Sequence, residues 1–177
     1  GYAYIDGPAR TIFTVGMDAA GTVSVRGLTE SRPVALPDIE DVALILHTSG
    51  NTGHPKRVPL THANLSISAD NVARHYALGP GDVSLCVMPL FHVHGLVAST
   101  LATLATGGTV VVPTTFDPLS FWHIVRDHHV TWYSAVPKIH QLLLARIEKG
   151  APKPAGAENL RFIRSCSASL APQVMHR

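Results

Sequence analysis

The sequence predicts an α/β fold in which strands alternate with helices around a mostly parallel sheet. From residue 41 onward, short runs rich in apolar and β-branched residues alternate with longer helix-like segments. Clusters of Gly and Pro separate most of these segments. Strands that alternate with helices generally pair in parallel through helical crossovers, so we expect a sheet covered by helices.

The first part of the chain carries weaker signals. Gly, Pro, Ser and Thr are dispersed through it, which favours loops with one short strand near residues 11–15. Residues 31–38 have the composition of a linker. We therefore divide the chain into residues 1–38, weakly patterned loops and a linker, and residues 39–177, a partial α/β domain.

The second part of the chain contains five predicted strands. The mostly apolar run at residues 42–47 is typical of a strand covered on both faces. The other four are expected at residues 83–88, 109–112, 130–134 and 160–166.

Predicted helices lie between these strands. Thr61 can cap a helix that runs to Tyr76. Its buried side is expected to contain Leu65, Ile67, Ala69, Val72 and Ala73. A small-residue helix over 95–106 is closed by Gly107 and Gly108. Two more are expected, one from Asp117 or Ser120 to about residue 128 and one from Pro137 to about residue 149.

The composition is that of a globular protein. Hydrophobic residues make up 46% and charged residues 15%, which is ample for a core. The net charge of +2 is too small, and the basic residues too scattered, to indicate nucleic-acid binding. The uncharged stretch at 95–116 is interrupted by Gly107, Gly108 and Pro113, so we expect no membrane span. The chain has no signal-peptide pattern, and we expect a cytoplasmic protein whose Cys86 and Cys166 are small buried hydrophobes.

The loop at residues 48–56, which follows the predicted strand at residues 42–47, combines hydroxyls, glycines and a lysine. Backbone N–H groups and hydroxyls can donate to a polyphosphate, glycines allow close approach, and Lys56 supplies positive charge. The loop is not a Walker A motif, because Pro55 precedes the lysine and Arg57 follows it. Pro55 also restricts its predecessor to extended conformations, so the loop is not expected to run directly into a helix.

This loop resembles the phosphate-binding signature of the adenylate-forming (AMP-binding) superfamily, which includes the acyl-CoA synthetases. Three later motifs resemble that family in the same order. Residues 88–95, Met-Pro-Leu-Phe-His-Val-His-Gly, resemble its Pro-x-Phe-His-x-x-Gly motif. Residues 131–137 resemble the strand and proline lining the acyl pocket, and residues 160–170 the strand and turn against which adenine lies. The resemblance spans residues 41–177, and the motifs look most like the oxalate–CoA ligase branch.

The resemblance implies roles for particular residues. Lys56 would neutralise the β- and γ-phosphates, and His92 would help to position the reacting carboxylate. The phosphate oxygens would be held by Thr48, Ser49, Gly50, Asn51, Thr52 and Gly53. Ser167, Ala168 and Ser169 would form part of the adenine site.

The resemblance also implies ATP, Mg²⁺ and coenzyme A as cofactors and a small-molecule carboxylate as substrate. The family's acidic Mg²⁺ ligand, its ribose-binding Asp and its C-terminal domain with the catalytic lysine have no counterpart in this chain. We therefore expect a fragment of the N-terminal domain that is inactive alone. Metal ligation by His92 and His94 is not expected, because no carboxylate or thiol companions surround them in the sequence.

Alternatives stay open at several positions. Asn51 occupies a position where the family usually has Thr or Ser, which favours a non-catalytic nucleotide-binding remnant or pseudoenzyme as the alternative function. A hydrolase with Ser49 as nucleophile is a weaker option, because the Gly-x-Ser-x-Gly elbow is missing. His94 is expected to pack or to begin a helix. Trp132 and Tyr133 are expected in the core, with a pocket wall as the alternative for either.

Overall fold

The computed structural model describes residues 14–18, 23–26, 36–48, 55–147 and 152–176. The chain divides into two compact units, residues 1–37 and residues 38–177. In the first unit, β1 (Thr14–Met17) pairs antiparallel with β2 (Val23–Arg26). β1 overlaps the strand predicted near residues 11–15, of which residues 11–13 lie outside the described part. The second strand was not predicted, and residues 31–35 of the proposed linker are also outside the described part.

The second unit begins with a two-stranded antiparallel sheet. β3 (Val42–Thr48) pairs with β4 (Lys56–Thr61), and Thr48 lies opposite Lys56. The prediction of a strand covered on both faces is wrong for β3, because Val42 and Ile45 are more than half exposed in this unit. Its described partner is β4 alone, so it does not join the parallel sheet. The expectation that the loop would not lead directly into a helix is confirmed, since a strand follows Pro55.

The predicted parallel sheet is present and has four strands. They are β5 (Val83–Leu85), β6 (Thr109–Val111), β7 (Trp132–Ala135) and β8 (Phe162–Ser165). Their order across the sheet is β6-β5-β7-β8, and every neighbouring pair is parallel. Each strand is shorter than the apolar run that predicted it.

Helix α1 (His62–His75) follows the capping signal in the sequence. The Thr61 hydroxyl accepts the Asn64 N–H at 3.2 Å, and the Asn64 side chain accepts the Thr61 N–H at 3.0 Å. Ala69 and Ala73 are buried, as predicted. Ile67 is 60% exposed, so its assignment to the buried side is wrong. Its position, two residues from Ala69, turns it away from the buried stripe.

The helix predicted at residues 95–106 is present but is not uniform. A π-helix (His94–Leu101) leads into α2 (Ala102–Ala105). The Ser99 hydroxyl donates to the His94 carbonyl, five residues earlier, at 3.3 Å. Gly107 follows with a φ of 77°, a left-handed conformation that glycine adopts without strain.

The remaining helices lie between and after the last strands. The Asp117 carboxylate accepts the N–H groups of Leu119 and Ser120 ahead of α3 (Phe121–Asp127). Helix α4 (Pro137–Leu144) begins with Pro137 in its first turn and ends before the predicted residue 149. A 3₁₀ helix (Ala157–Asn159) precedes β8, and α5 (Pro172–Met175) follows it. No helix in the described part of the chain is long and apolar enough to cross a membrane.

A buried carboxylate ties the sheet to the end of α1. Asp82 accepts the Gly79 N–H at 2.9 Å, the Thr131 hydroxyl at 2.8 Å and a charge-assisted bond from Arg161. Arg161 also donates to the Tyr76 carbonyl at 3.1 Å. Burial alone would raise the pKa of Asp82, but these donors outweigh burial and lower the pKa below its ordinary value.

Candidate active site

The two faces of β7 carry different environments. Trp132 stacks on Phe162 of β8 with ring centroids 5.2 Å apart, and Ser134 lies beside Arg164 on the same face. On the other face, Tyr133 packs edge-on against Phe121 at 5.0 Å. The predicted core packing of Trp132 and Tyr133 is confirmed, and the face with Ser134 is the one that meets the π-helix.

The Pro-x-Phe-His-x-x-Gly segment makes a close turn into the π-helix. A Cβ added at Gly95 would lie 2.5 Å from the Pro89 carbonyl oxygen and 2.6 Å from that of Met88. Only glycine leaves room for these backbone carbonyls. The segment therefore folds back on itself, and the residue before the glycine, His94, is buried rather than exposed.

His94 joins the π-helix to the two strands at the end of the sheet. Its side chain is 7% exposed, and its Nε2 lies 2.7 Å from the Ser134 hydroxyl. Its Nδ1 lies 3.2 Å from the Ser167 hydroxyl, in the turn after β8. The Cys166 sulfur lies 3.3 Å from the same nitrogen. The prediction that His94 begins a helix is confirmed, and it also bridges two motifs.

Donor chemistry gives this hydrogen-bond network a direction. The Arg164 guanidinium can only donate, and its Nη1 lies 3.0 Å from the Ser134 oxygen. The Ser134 hydroxyl keeps its own proton to donate, and His94 Nε2 is within reach as the acceptor. We assign the His94 proton to Nδ1 on this basis, where it faces the Ser167 hydroxyl.

His94 is held in its neutral form. Burial, together with the nearby charge of Arg164 and a smaller contribution from His140, lowers the pKa of His94 to about 4. A neutral imidazole can accept the Ser134 hydroxyl proton at Nε2, which is consistent with the assigned tautomer.

A cavity of about 370 Å³ opens beside this network, between α1 and the π-helix. Half of its lining residues are aliphatic and come from α1, the π-helix and the residues just before them, and the polar network forms one end. Its lining consists of Leu60, Asn64, Leu65, Ser68, Val72, Val93, His94, Val97, Ala98, Arg164, Cys166 and Ser167. Among the lining residues that the structure describes, only Arg164 is charged at neutral pH, since His94 is neutral.

The residues proposed for nucleotide binding fall into two groups. Ser167, Ala168 and Ser169 form an exposed turn at the carboxyl end of β8. Ser167 has a φ of 71°, a strained conformation for a residue with a Cβ. Ligands of open α/β sheets bind outside the carboxyl ends of the strands, which is where this turn lies. In the second group, Thr48 and the exposed Lys56 lie opposite each other at the ends of β3 and β4. Ser49, Gly50, Asn51, Thr52 and Gly53 lie outside the described residues.

His92 lies apart from the cavity. Its side chain is exposed, and its ring contacts that of Phe91 at 4.6 Å. It does not line the cavity, whereas His94 does. Its assignment as the residue that positions the carboxylate stays a prediction.

The sequence analysis assigned no binding role to three residues of the site: His94, Ser134 and Arg164. Alternation along β8 is the signal that could have found Arg164, because residues two apart share a face and Cys166 directly precedes the turn. The expectation for Cys166 is wrong, since it is half-buried and lines the cavity, whereas Cys86 is buried as expected. The described residues contain no group of three His, Cys, Asp or Glu side chains that could hold a metal ion.

Comparison with known proteins agrees with this geometry. Residues 8–177 match the AMP-binding enzyme family, so the family match begins well before residue 41, where the motif resemblance starts. The chain is 47% identical over 150 residues to an oxalate–CoA ligase of Saccharomyces cerevisiae, covering 83% of this chain and 27% of that protein. It is 42% identical over 141 residues to a sulfoacetate–CoA ligase of Cupriavidus necator, covering 80% of this chain and 27% of that protein.

A solved structure shares the fold. The crystal structure of ATP-bound MatB from Rhodopseudomonas palustris superposes with a TM-score of 0.69 at 27% identity, covering 79% of this chain and 27% of that one. This chain therefore spans about a quarter of the length of these relatives. The four-stranded parallel sheet, the ordered motifs and the family match lead to one conclusion: the chain belongs to the AMP-binding, adenylate-forming enzyme family.

Proposed function

We propose that this chain is part of an ATP-dependent acid–thiol ligase. The enzyme activates a carboxylate as acyl-AMP and transfers the acyl group to coenzyme A. The observation that carries this proposal is the meeting of three motifs at His94, which lines the cavity. His94 comes from the Pro-x-Phe-His-x-x-Gly segment, Ser134 from the acyl-pocket strand and Ser167 from the adenine turn.

The proposed reaction has two steps. A carboxylate oxygen attacks the α-phosphorus of ATP, and pyrophosphate leaves. The thiol of coenzyme A then loses its proton and attacks the acyl carbonyl carbon, and AMP leaves. Mg²⁺ would offset phosphate charge when bound.

The chain's own residues would contribute binding and orientation. Thr48, Lys56 and the loop between them would hold the phosphates, and the exposed turn at Ser167 would support the adenine. His94, kept neutral, would line the acid site and orient the Ser167 hydroxyl without adding a charge. The apolar wall of the cavity would keep water from the reacting carboxylate.

The substrate proposed is a small carboxylate that carries a second anionic group. Two of the relatives are named for oxalate and for sulfoacetate, both short acids of this kind. The polar end of the cavity, with the Arg164 guanidinium and the Ser167 hydroxyl, supports the same class.

The test is pyrophosphate release by the protein expressed from its complete reading frame, across a panel of carboxylates. We expect release with a short dianionic acid and its loss in a Lys56→Ala variant. The purified 177-residue chain should release no more than its own Lys56→Ala control, because it spans a quarter of the relatives' length. A folded, ATP-binding protein that releases no pyrophosphate with any acid would refute the ligase proposal.

That last outcome would favour the second candidate, a non-catalytic nucleotide-binding remnant. Asn51 is the observation in its favour, because it replaces the hydroxyl usual at that position of the phosphate loop. An Asn51→Thr variant separates the two. Restored pyrophosphate release would identify Asn51 as the inactivating change, whereas unchanged activity in a working ligase would show that the amide serves as the donor.

A further inference from the structure

We propose that Arg164 recognises the second, non-reacting anionic group of the substrate. This inference rests on the proposed ligase function and assigns its acid specificity to one side chain. Three features of Arg164 carry it: its unpaired charge, its position on the strand and the apolar surroundings.

Arg164 has a charge with no counter-ion in the described part of the chain. The arginine–carboxylate pairs there are those of Arg74, Arg126 and Arg161, and Arg164 forms none. Its recorded side-chain hydrogen bond is a single donation from Nη1 to the Ser134 hydroxyl. A guanidinium has five N–H donors in a planar fork, so donors remain for a bidentate contact with a carboxylate or sulfonate.

The position of Arg164 places it beside the reacting end of the site. It lies on the face of β8 that carries Cys166, two residues before it, and the adenine turn begins at Ser167. Along a strand, two residues span about 7 Å, so Arg164 lies about that far from Cys166. A short acid and the arginine side chain can together bridge this distance. An acid with one carboxylate at the adenine turn would therefore extend its second group towards Arg164.

The surroundings strengthen this contact. Leu65, Val72, Val93 and Val97 line the same cavity, and none of its described lining residues is acidic. An ion pair in such a site is screened less than one on the surface. Because His94 is neutral, the second anion would meet one positive charge, which matches a group of charge −1.

The test compares dianionic and monoanionic acids. Pyrophosphate release by the protein from its complete reading frame is measured with oxalate and sulfoacetate, and with glycolate and acetate. The variants are Arg164→Met, which removes the charge at similar length, and Arg164→Lys, which keeps the charge but loses the fork. Arg74→Met is the matched control, because Arg74 lies on the exposed surface of α1.

In Arg164→Met, we expect the ratio of kcat/KM for dianions over monoanions to fall about 10- to 100-fold, mainly through the KM of the acid. The KM of ATP should not change. Arg164→Lys should recover part of the ratio, and Arg74→Met should match the wild type. An unchanged ratio would overturn the proposal. So would an equal loss for all four acids, as expected if Arg164 only pairs with a carboxylate elsewhere in the protein.

A binding measurement keeps this inference separate from the ligase proposal. Calorimetric titration with oxalate in the absence of ATP measures the Kd of oxalate, and thus the Arg164 contact, even in a protein that releases no pyrophosphate. Binding weakened about tenfold or more by Arg164→Met supports the assignment. Equal binding by the variant, or no binding by the wild type, refutes it.

Discussion

Replacing Gly95 by alanine tests whether the close turn before the π-helix is required by the fold. The added Cβ would lie 2.5 Å and 2.6 Å from two backbone carbonyl oxygens, and 2.9 Å from the Pro89 carbonyl carbon. These distances fall up to about 0.9 Å short of ordinary van der Waals contact. Backbone atoms cannot rotate away as a side chain can, so the turn and the helix must separate.

The expected cost is about 3 kcal/mol, at the upper end of the range for overpacking. With a urea dependence of about 1–3 kcal/mol per molar, the unfolding midpoint should fall by about 1–3 M. Both tryptophans of the chain, Trp122 and Trp132, lie in the second unit, so their fluorescence reports on its unfolding.

Gly81→Ala is the matched control. A Cβ at Gly81 would meet nothing within 4 Å, so this variant should equal the wild type or gain up to about 1 kcal/mol. The reasoning is wrong if the two variants unfold at the same urea concentration.

Three further predictions concern titration and access. As the pH falls from 7 to 4, the free energy of unfolding of the wild type should decrease by about 3 kcal/mol through His94, because the unfolded imidazole binds a proton near pH 6.5 and the folded one near 4. His94→Gln should remove this decrease. Asp82→Ala should lower the free energy of unfolding in urea by about 3 kcal/mol at neutral pH, because Arg161 and two other donors lose their acceptor. Folding lowers the pKa of Asp82, so the stabilisation that Asp82 gives the wild type should fade as the pH drops below about 4. Iodoacetamide should label Cys166 and not Cys86 in the folded chain, as read by peptide mass spectrometry.

Each of these has a clear contrary result. A His94 imidazole that titrates near pH 6.5 by NMR would contradict its burial in a neutral network. An Asp82→Ala variant with unchanged stability at neutral pH would show that the network around it is not stabilising. Equal labelling of both cysteines in the native chain would show that the cavity does not govern access.

Local signals predicted much of the second unit. The Thr61 cap and the helix after it, the turn at Gly107 and the opening of α4 at Pro137 all follow from short-range chemistry that a sequence displays directly. The parallel order of β5, β7 and β8 follows from alternation with helices. Strand β3 was misjudged because an apolar run does not reveal its pairing partner, and its partner is the antiparallel β4.

The site was predicted less completely than the fold. The motifs drew attention to the segments that line the cavity, but a sequence with two histidines two residues apart does not show which one turns inward. His94 is the one packed against Ser134 and Ser167, and those contacts join residues far apart in the sequence. Arg164 was missed for a related reason, since an unpaired charge is recognised only when its neighbours are known.

The π-helix from His94 to Leu101 determines in which direction, around the helix axis, the His94 side chain points relative to the residues that follow it. Each π-helical turn closes a hydrogen bond over five residues instead of four, so the segment accommodates more residues per turn than an α-helix does. Deleting one residue after His94 would let the segment relax to an α-helix and would rotate His94 by about 100° around the axis. A single-codon deletion would thus remove the imidazole from the cavity while keeping the helix, which makes chain length at this point, and not only residue identity, a determinant of the site.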